Sequence, residues 1–280
     1  MRRMDLKFTK YHGLGNDFIL VQDFGGILVP RGEMLAQALC HRQFGIGADG
    51  LVLITKESDW YKMRIFNADG SEPEMCGNAI RCVADYLLQE GLAQGPLIPI
   101  DTLSGLKEVR RAGDLYLVDM GEPDFSFMRG QSVEIALLGV TWTVYPVSMG
   151  NPHGVVFVDD LDEIDLMFWG PRLESAPVWP HGANIEFTQV LDADSLQVRV
   201  WERGAGPTLA CGTGACAAAA VAAKQGLTRD LKAGATTVSL PGGDLTIQGG
   251  EENRVSMLGP AERVFEGQID ISRLERERKL

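Results

Sequence analysis

One pattern written twice, 135 residues apart, limits what this chain can fold into. Cys76-Gly77 returns as Cys211-Gly212, and Asn16 in Gly-Asn-Asp as Asn151 in Gly-Asn-Pro. Gly47-Ala48-Asp49 returns as Gly182-Ala183-Asn184, Arg64-Ile65-Phe66-Asn67 as Arg199-Val200-Trp201-Glu202, and Gly91-Leu92 as Gly226-Leu227. Five separated blocks in one register mark an internal duplication. Two equivalent halves about a pseudo-twofold axis are expected, with both Cys-Gly turns at one central cleft.

Each Cys-Gly turn precedes an apolar run that ends at glycine, Gly91 or Gly226. Such a run reads as a helix with the cysteine at its start and a left-handed residue past its end. The second run, from Ala215 to Ala223, is rich in alanine. A helix enclosed by a curved sheet needs small side chains on every face. Alternating segments at residues 6–11, 18–23, 51–55, 61–67, 97–103, 106–111 and 115–120 read as strands. So do 144–149, 155–158, 185–189, 197–201, hairpins within 236–257, and 262–269. A helix is expected at 32–42, and a helix or turn after the acidic stretch 159–162. The fold class is therefore α/β (α+β): two pseudo-symmetric halves, each a curved, mostly antiparallel sheet or barrel around a central helix. The boundaries expected are 1–121 and 122–263, crossing at Gly121-Glu122-Pro123-Asp124. Residues 264–280 form a closing strand and charged tail that returns to the first half.

Composition narrows the function. A formal charge of −12 argues against nucleic-acid and anionic-membrane partners. The N-terminus has two arginines but no apolar core of a signal segment, and the longest apolar run is too short to span a bilayer. A cytoplasmic protein is the expectation. Five cysteines, spaced six apart at Cys76/Cys82 and five at Cys211/Cys216, fit neither a disulfide framework nor a zinc site. Gly45-Ile46-Gly47-Ala48-Asp49-Gly50 lacks the Gly-Lys-Ser/Thr of a phosphate loop.

A thiol at a helix start feels a dipole worth about 0.3–1 kcal/mol, less than one pKa unit, so a nearby base or cation must add to it. The N–H groups of Gly77-Asn78 and Gly212-Thr213 make cradles for a carboxylate. Two sulfurs on opposite sides of one α-carbon suit stereoinversion: one thiolate removes the proton, and the other thiol returns one to the opposite face. Cys40, Cys82 and Cys216 read as packing residues. A redox pair is the rival from another class, but neither Cys76 nor Cys211 lies in Cys-x-x-Cys. Pyridoxal chemistry has no lysine beside the glycine-rich turns.

Six segments resemble the diaminopimelate epimerase family. They are His12-Gly13-Leu14-Gly15-Asn16-Asp17-Phe18, Phe66-Asn67-Ala68-Asp69-Gly70-Ser71, Met75-Cys76-Gly77-Asn78, Gly150-Asn151-Pro152-His153, Glu202-Arg203-Gly204-Ala205-Gly206 and Ala210-Cys211-Gly212-Thr213-Gly214. The resemblance runs from about residue 7 to about 268. It implies a cofactor-independent, metal-free epimerase interconverting LL- and meso-diaminopimelate for lysine and peptidoglycan precursors, as a cytoplasmic homodimer. It further implies that Cys76 and Cys211 are the acid/base thiols, and that Gly77, Asn78, Gly212 and Thr213 hold the reacting carboxylate through their backbones. Asn16 would lie near the reacting centre. Asn67, Asn151, Asn184 and Arg203 would read the distal carboxylate and amine, Glu202 would also touch substrate, and His153 and Glu202 would set the thiols' protonation. Gly50 stands where some members carry Gln, and Pro207 where Glu is usual. Those departures bear on substrate choice, and a racemase of another amino acid is the alternative within the class.

Overall fold

The computed structural model describes residues 4–58, 60–126 and 131–272. It divides into a first unit, Met1–Tyr116 with Pro260–Leu280, and a second unit, Leu117–Gly259. The division falls before Gly121, the expected crossing, because strand β7 (Leu115–Gly121) runs through that point and its far end pairs within the second unit. The return to the first unit comes at Pro260, ahead of the expected 264. The charged tail beyond Ser272 lies outside the described residues.

The first unit holds β1 (Asp5–Gly13), β2 (Asn16–Gln22), α1 (Gly32–Leu39), β3 (Gly50–Glu57), β4 (Trp60–Asn67), α2 (Gly77–Gln89), β5 (Leu97–Thr102) and β6 (Gly105–Ala112). From β1 to β6 the pairings run antiparallel, parallel, antiparallel, parallel, antiparallel. The second unit holds β8 (Val133–Leu137), β9 (Val140–Ser148), β10 (Pro152–Phe157), α3 (Leu166–Glu174), β11 (Asn184–Asp192), β12 (Ser195–Glu202), β13 (Gly206–Thr208), α4 (Gly212–Lys224), β14 (Ala235–Leu240), β15 (Gly243–Gly249) and β16 (Val255–Pro260). From β9 through β10, β11, β12 and β14 to β15 the same alternation returns. The last strand, β17 (Glu262–Asp270), pairs antiparallel with β1, from Asp5 opposite Asp270 to His12 opposite Glu262. Strands β8 and β13 go beyond the sequence expectation, α3 is the helix form of the helix or turn expected after residues 159–162, and α1 stops at Leu39 rather than reaching Arg42.

Each unit buries one helix on nearly all sides. α2 packs on β1, β2, β4, β5, β6 and β17, and α4 on β9, β10, β11, β12, β14 and β15. α4 does this with alanines, as the sequence implies. α2 instead buries Arg81 and Asp85 and satisfies both: Asp85 accepts the hydroxyls of Tyr11 at 2.8 Å and Tyr116 at 2.6 Å. Both helices end in a Schellman turn, with Gly91 (φ +67) and Gly226 (φ +69) in the left-handed region. The bonds Leu92 N–H to Leu87 O and Leu227 N–H to Ala222 O close them.

A second layer covers the opposite sheet faces. α1 packs Leu35 and Leu39 with Ile19, Leu51, Leu53 and Phe66. α3 packs Leu173 with Val156, Ile185, Phe187 and Trp179. Strands β3 and β11 are thus buried on both faces; β3 reads accordingly as an apolar run, whereas β11 keeps polar residues at buried positions.

Candidate active site

In each unit the cysteine is the N-cap residue of the buried helix. Cys76 precedes α2 at φ −140, ψ 119, and Cys211 precedes α4 at φ −121, ψ 112. Extended backbone at this position is what lets a side chain fold back on the first helical turn. Cys211 uses it: Sγ accepts Gly214 N–H at 3.4 Å and lies 3.5 Å from Thr213 Oγ1.

Around Cys76, Asn16 Oδ1 lies 4.0 Å from Sγ and accepts Asn78 Nδ2 at 3.2 Å. Asn16 Nδ2 donates to Asp49 at 2.9 Å, and Arg42 bridges Asp49 and Asp17 at 2.8 Å to each. Burial alone would raise the Asp17 carboxyl, but Arg42 and Lys10 outweigh it and hold it at about 2. The loop that carries Asn16 is therefore fixed by charge. Buried Arg81 donates to Asn78 Oδ1 (3.0 Å), Gly77 O (3.2 Å) and Pro260 O (2.9 Å), which ties the first turn of α2 to Pro260 of the same unit. Asn67 donates to Ser71 Oγ at 2.9 Å in the turn after β4, next to Ala68, whose N–H bonds Asp49 O at 3.0 Å.

Around Cys211 the frame repeats and the charges change. Asn151 Nδ2 donates to Thr213 Oγ1 at 3.4 Å; the same two positions, Asn16 and Asn78, are bonded 135 residues earlier with donor and acceptor exchanged. His153, fully buried, places Nε2 2.9 Å from Asn151 Oδ1 and Nδ1 2.6 Å from Glu186 Oε1. Glu202 accepts Thr208 Oγ1 at 2.6 Å, and its charge acts on Cys211. Asn184 joins Arg203: its Oδ1 accepts Arg203 N–H at 2.8 Å, and its Nδ2 donates to Pro152 O at 3.3 Å. Arg203 is exposed, with Nη1 3.3 Å from His181 O. At the residues matching His153, Glu186 and Glu202, the first unit carries Phe18, Leu51 and Asn67, none of them titratable.

Burial, then the charges of Glu202 and Glu186, push the Cys211 thiol well above its ordinary range, against the bonds from Thr213 and Gly214. The helix dipole loses this contest, since it is worth under one pKa unit and full burial as much as about 3–5. Burial also raises Glu202, against Thr208 and His153. Glu186 is absent from the sequence expectations; its signal was a carboxylate where the duplication has Leu51. Gly50 opens β3 with a Cβ position 3.1 Å from Phe66 O, so a side chain there needs a shift of backbone. Pro207 is exposed on β13. Among the described residues no group of acidic, histidine or cysteine side chains could hold a metal ion.

The buried cysteines and tyrosines predict alkaline lability. Burial raises Cys40 from 9.0 to about 12 and raises Cys82; burial, then Asp85, raises Tyr11 and Tyr116. Groups raised by folding stabilise fully below their unfolded values, and that stability is lost as pH rises through the folded ones. Urea unfolding midpoints should therefore fall steadily from pH 9 towards 12, Cys40 alone accounting for on the order of 4 kcal/mol at the upper end. Cys40→Ala should flatten that slope; an identical slope would remove Cys40 from the cause.

The fold is shared with solved structures of low sequence identity. A Bacillus anthracis phenazine biosynthesis protein of the PhzF family superposes with TM-score 0.74 at 17% identity, over 95% of this chain and 99% of that one. A hydroxyproline epimerase from Agrobacterium vitis gives 0.69 at 15%, over 95% and 92%. The architecture is thus one found among amino-acid epimerases. The diaminopimelate epimerase family model matches residues 8–126 and 145–264. Diaminopimelate epimerases of Synechocystis sp. and Desulfitobacterium hafniense are 48% and 46% identical, over 96% and 94% of this chain and 100% and 97% of theirs. That of Acetivibrio thermocellus is 45% identical over 96% and 100%. The chain belongs to the diaminopimelate epimerase family, enzymes that epimerise diaminopimelate without pyridoxal phosphate.

Proposed function

We propose that this enzyme inverts the α-carbon of diaminopimelate by two-base proton transfer between Cys76 and Cys211. One sulfur, as thiolate, takes the α-hydrogen as a proton and leaves its electron pair on the carbon, delocalised into the carboxylate. The other, as thiol, donates its proton to the opposite face. The reverse reaction exchanges the roles. The observation that carries this reading is the repeated placement: each cysteine caps the buried helix of its own unit, beside a matched amide contact.

In this reading the N–H groups of Gly77, Asn78, Gly212 and Thr213 hold the reacting carboxylate, because first-turn donors have no acceptor within the helix. Asn16 sits near the reacting centre, and Asn67, Asn151, Asn184 and Arg203 bind the distal carboxylate and amine. Arg203 suits that task because its exposed guanidinium can grip a carboxylate with two N–H groups. His153 and Glu202 set the protonation of the two thiols, and Glu202 also meets substrate. A cytoplasmic homodimer completes the reading. Lysine and peptidoglycan precursors are made in the cytoplasm, and Val264 (53% exposed) and Phe265 (48%) on β17 offer an apolar surface to a second copy. Among the described residues no helix is long and apolar enough to cross a membrane.

The test is incubation with LL-diaminopimelate in D₂O, without added cofactor, followed by the α-proton signal. Loss of that signal with formation of the meso isomer is expected. Turnover of a simple amino acid, with none of diaminopimelate, would replace the substrate. A disulfide form that gains a regulated partner would favour the redox alternative.

A further inference from the structure

The second unit buries a carboxylate that the mechanism above does not use. Glu186 has 0% of its surface exposed, and its Oε2 has no hydrogen-bond partner among the described residues. Placing a carboxylate there costs several kcal/mol unless it is well paired, and the duplicated frame tolerates leucine at the same register, Leu51. Stability therefore does not account for it. Its neighbour is altered to match. A Cβ at Gly214, in the first turn of α4, would stand 2.8 Å from Glu186 Oε1, whereas the first unit carries Ala79 at that register. Leucine with alanine has become glutamate with glycine, and the exchange brings Oε1 to 2.6 Å from His153 Nδ1.

We propose that Glu186 is a positioning residue. By accepting the Nδ1–H of His153 it fixes the tautomer and setting of that ring and, through Asn151 and Thr213, the hydrogen-bond line that ends at Cys211 Sγ. The line is continuous: His153 Nε2 to Asn151 Oδ1 at 2.9 Å, Asn151 Nδ2 to Thr213 Oγ1 at 3.4 Å, and Thr213 Oγ1 to Cys211 Sγ at 3.5 Å. With Glu186 as the acceptor, two proton arrangements satisfy it. Either both ring nitrogens of His153 donate, or the Asn151 amide is turned over and Nε2 accepts. Nδ1 carries a hydrogen in both, and the Glu186 oxygen 2.6 Å away holds it there. This is the usual division of labour in histidine pairs, where the partner of one nitrogen sets what the other can do. The inference rests on the reading of Cys211 as an acid/base thiol.

The test uses the full chain with ¹⁵N-labelled histidine, His153→Gln assigning the His153 signals, together with steady-state turnover of LL-diaminopimelate. Glu186→Leu with Gly214→Ala installs the pair that the first unit already packs. Glu186→Gln keeps an acceptor oxygen without the charge. In the double variant Nδ1 should lose its fixed proton, and kcat should fall at least about 30-fold with KM within about threefold. Glu186→Gln should keep the Nδ1 proton, move its resonance upfield and recover part of kcat. A double variant that retains the Nδ1 proton, or stays within about threefold of wild-type kcat, overturns the proposal. If the double variant does not fold, Glu186→Gln decides: an unmoved Nδ1 resonance overturns the proposal, an upfield one supports it. If the wild-type protein does not turn over diaminopimelate, the functional reading fails, and the His153 signals still decide this one.

Discussion

Serine at Cys76 or at Cys211 is expected to lower kcat for epimerisation of LL-diaminopimelate by at least about a thousandfold while leaving the fold intact. The two effects separate because serine and cysteine share a geometry and differ in acidity. Both residues are N-caps in extended backbone, and serine is among the best N-cap residues. The turn at Gly214 N–H, which Cys211 Sγ accepts at 3.4 Å, should tighten rather than break. A hydroxyl, however, gives up its proton far less readily than a thiol and cannot act as the base near neutral pH. The alanine variants should lose activity equally, and Cys211→Ala should give up about 1 kcal/mol of helix capping besides. Kinetics from both the LL and the meso substrate, with an unfolding curve for each variant, provide the check. Either serine variant turning over at more than a few per cent of wild type would end the two-base assignment.

Arg81→Leu should be among the most destabilising single changes available to the first unit, by about 3–5 kcal/mol. The guanidinium is fully buried and gives hydrogen bonds to Asn78 Oδ1, Gly77 O and Pro260 O. Leucine would fill much of the volume but leave three acceptors without that donor, each costing about 1–3 kcal/mol when buried, with water entry offsetting part. Against a typical total of about 5–15 kcal/mol, the loss moves a urea midpoint by a large fraction of its value. Function should suffer too, because Arg81 orients Asn78, which in turn holds Asn16 beside Cys76. Arg81→Lys, which reaches fewer of the acceptors, should fall between. An unchanged midpoint in Arg81→Leu would show that the buried charge is not what ties this helix down.

Arg81 also shows where sequence reasoning stopped. The duplication was legible because it needed only identities at a constant offset, and its strongest marks, Cys-Gly and Gly-Leu, are the start and finish of the same helix in each unit. Arg81 and Asp85, by contrast, read as the solvent side of an amphipathic helix. Their burial depends on tyrosines and a carbonyl brought in from β1, β7 and β16, which no local pattern announces. Glu186 was hidden for a related reason. Between Ile185 and Phe187 a glutamate suggests an alternating, half-exposed strand, whereas residues 184–188 are buried throughout because helices cover both faces. Helix α3 could be read only as a helix or turn, because Pro171 lies within it and the apolar periodicity around Gly170 is weak. The short strand β13 is three residues long, too brief to carry a pattern. Among the site residues, the motif cysteines and asparagines were accessible from spacing and resemblance. The charge difference between the two copies becomes meaningful only once His153, Glu186 and Glu202 are found around one sulfur.

The pairing of β17 with β1 has a consequence for how the chain is made. Residues 117–259 are continuous and can condense as soon as they clear the ribosome, although they are synthesised second. The amino-terminal domain has to wait, its sheet open along β1, until the final strand is translated and released. Vectorial synthesis thus runs against the order in which the domains can close, and a nascent or prematurely terminated polypeptide exposes the one edge that chaperones and proteases are built to find.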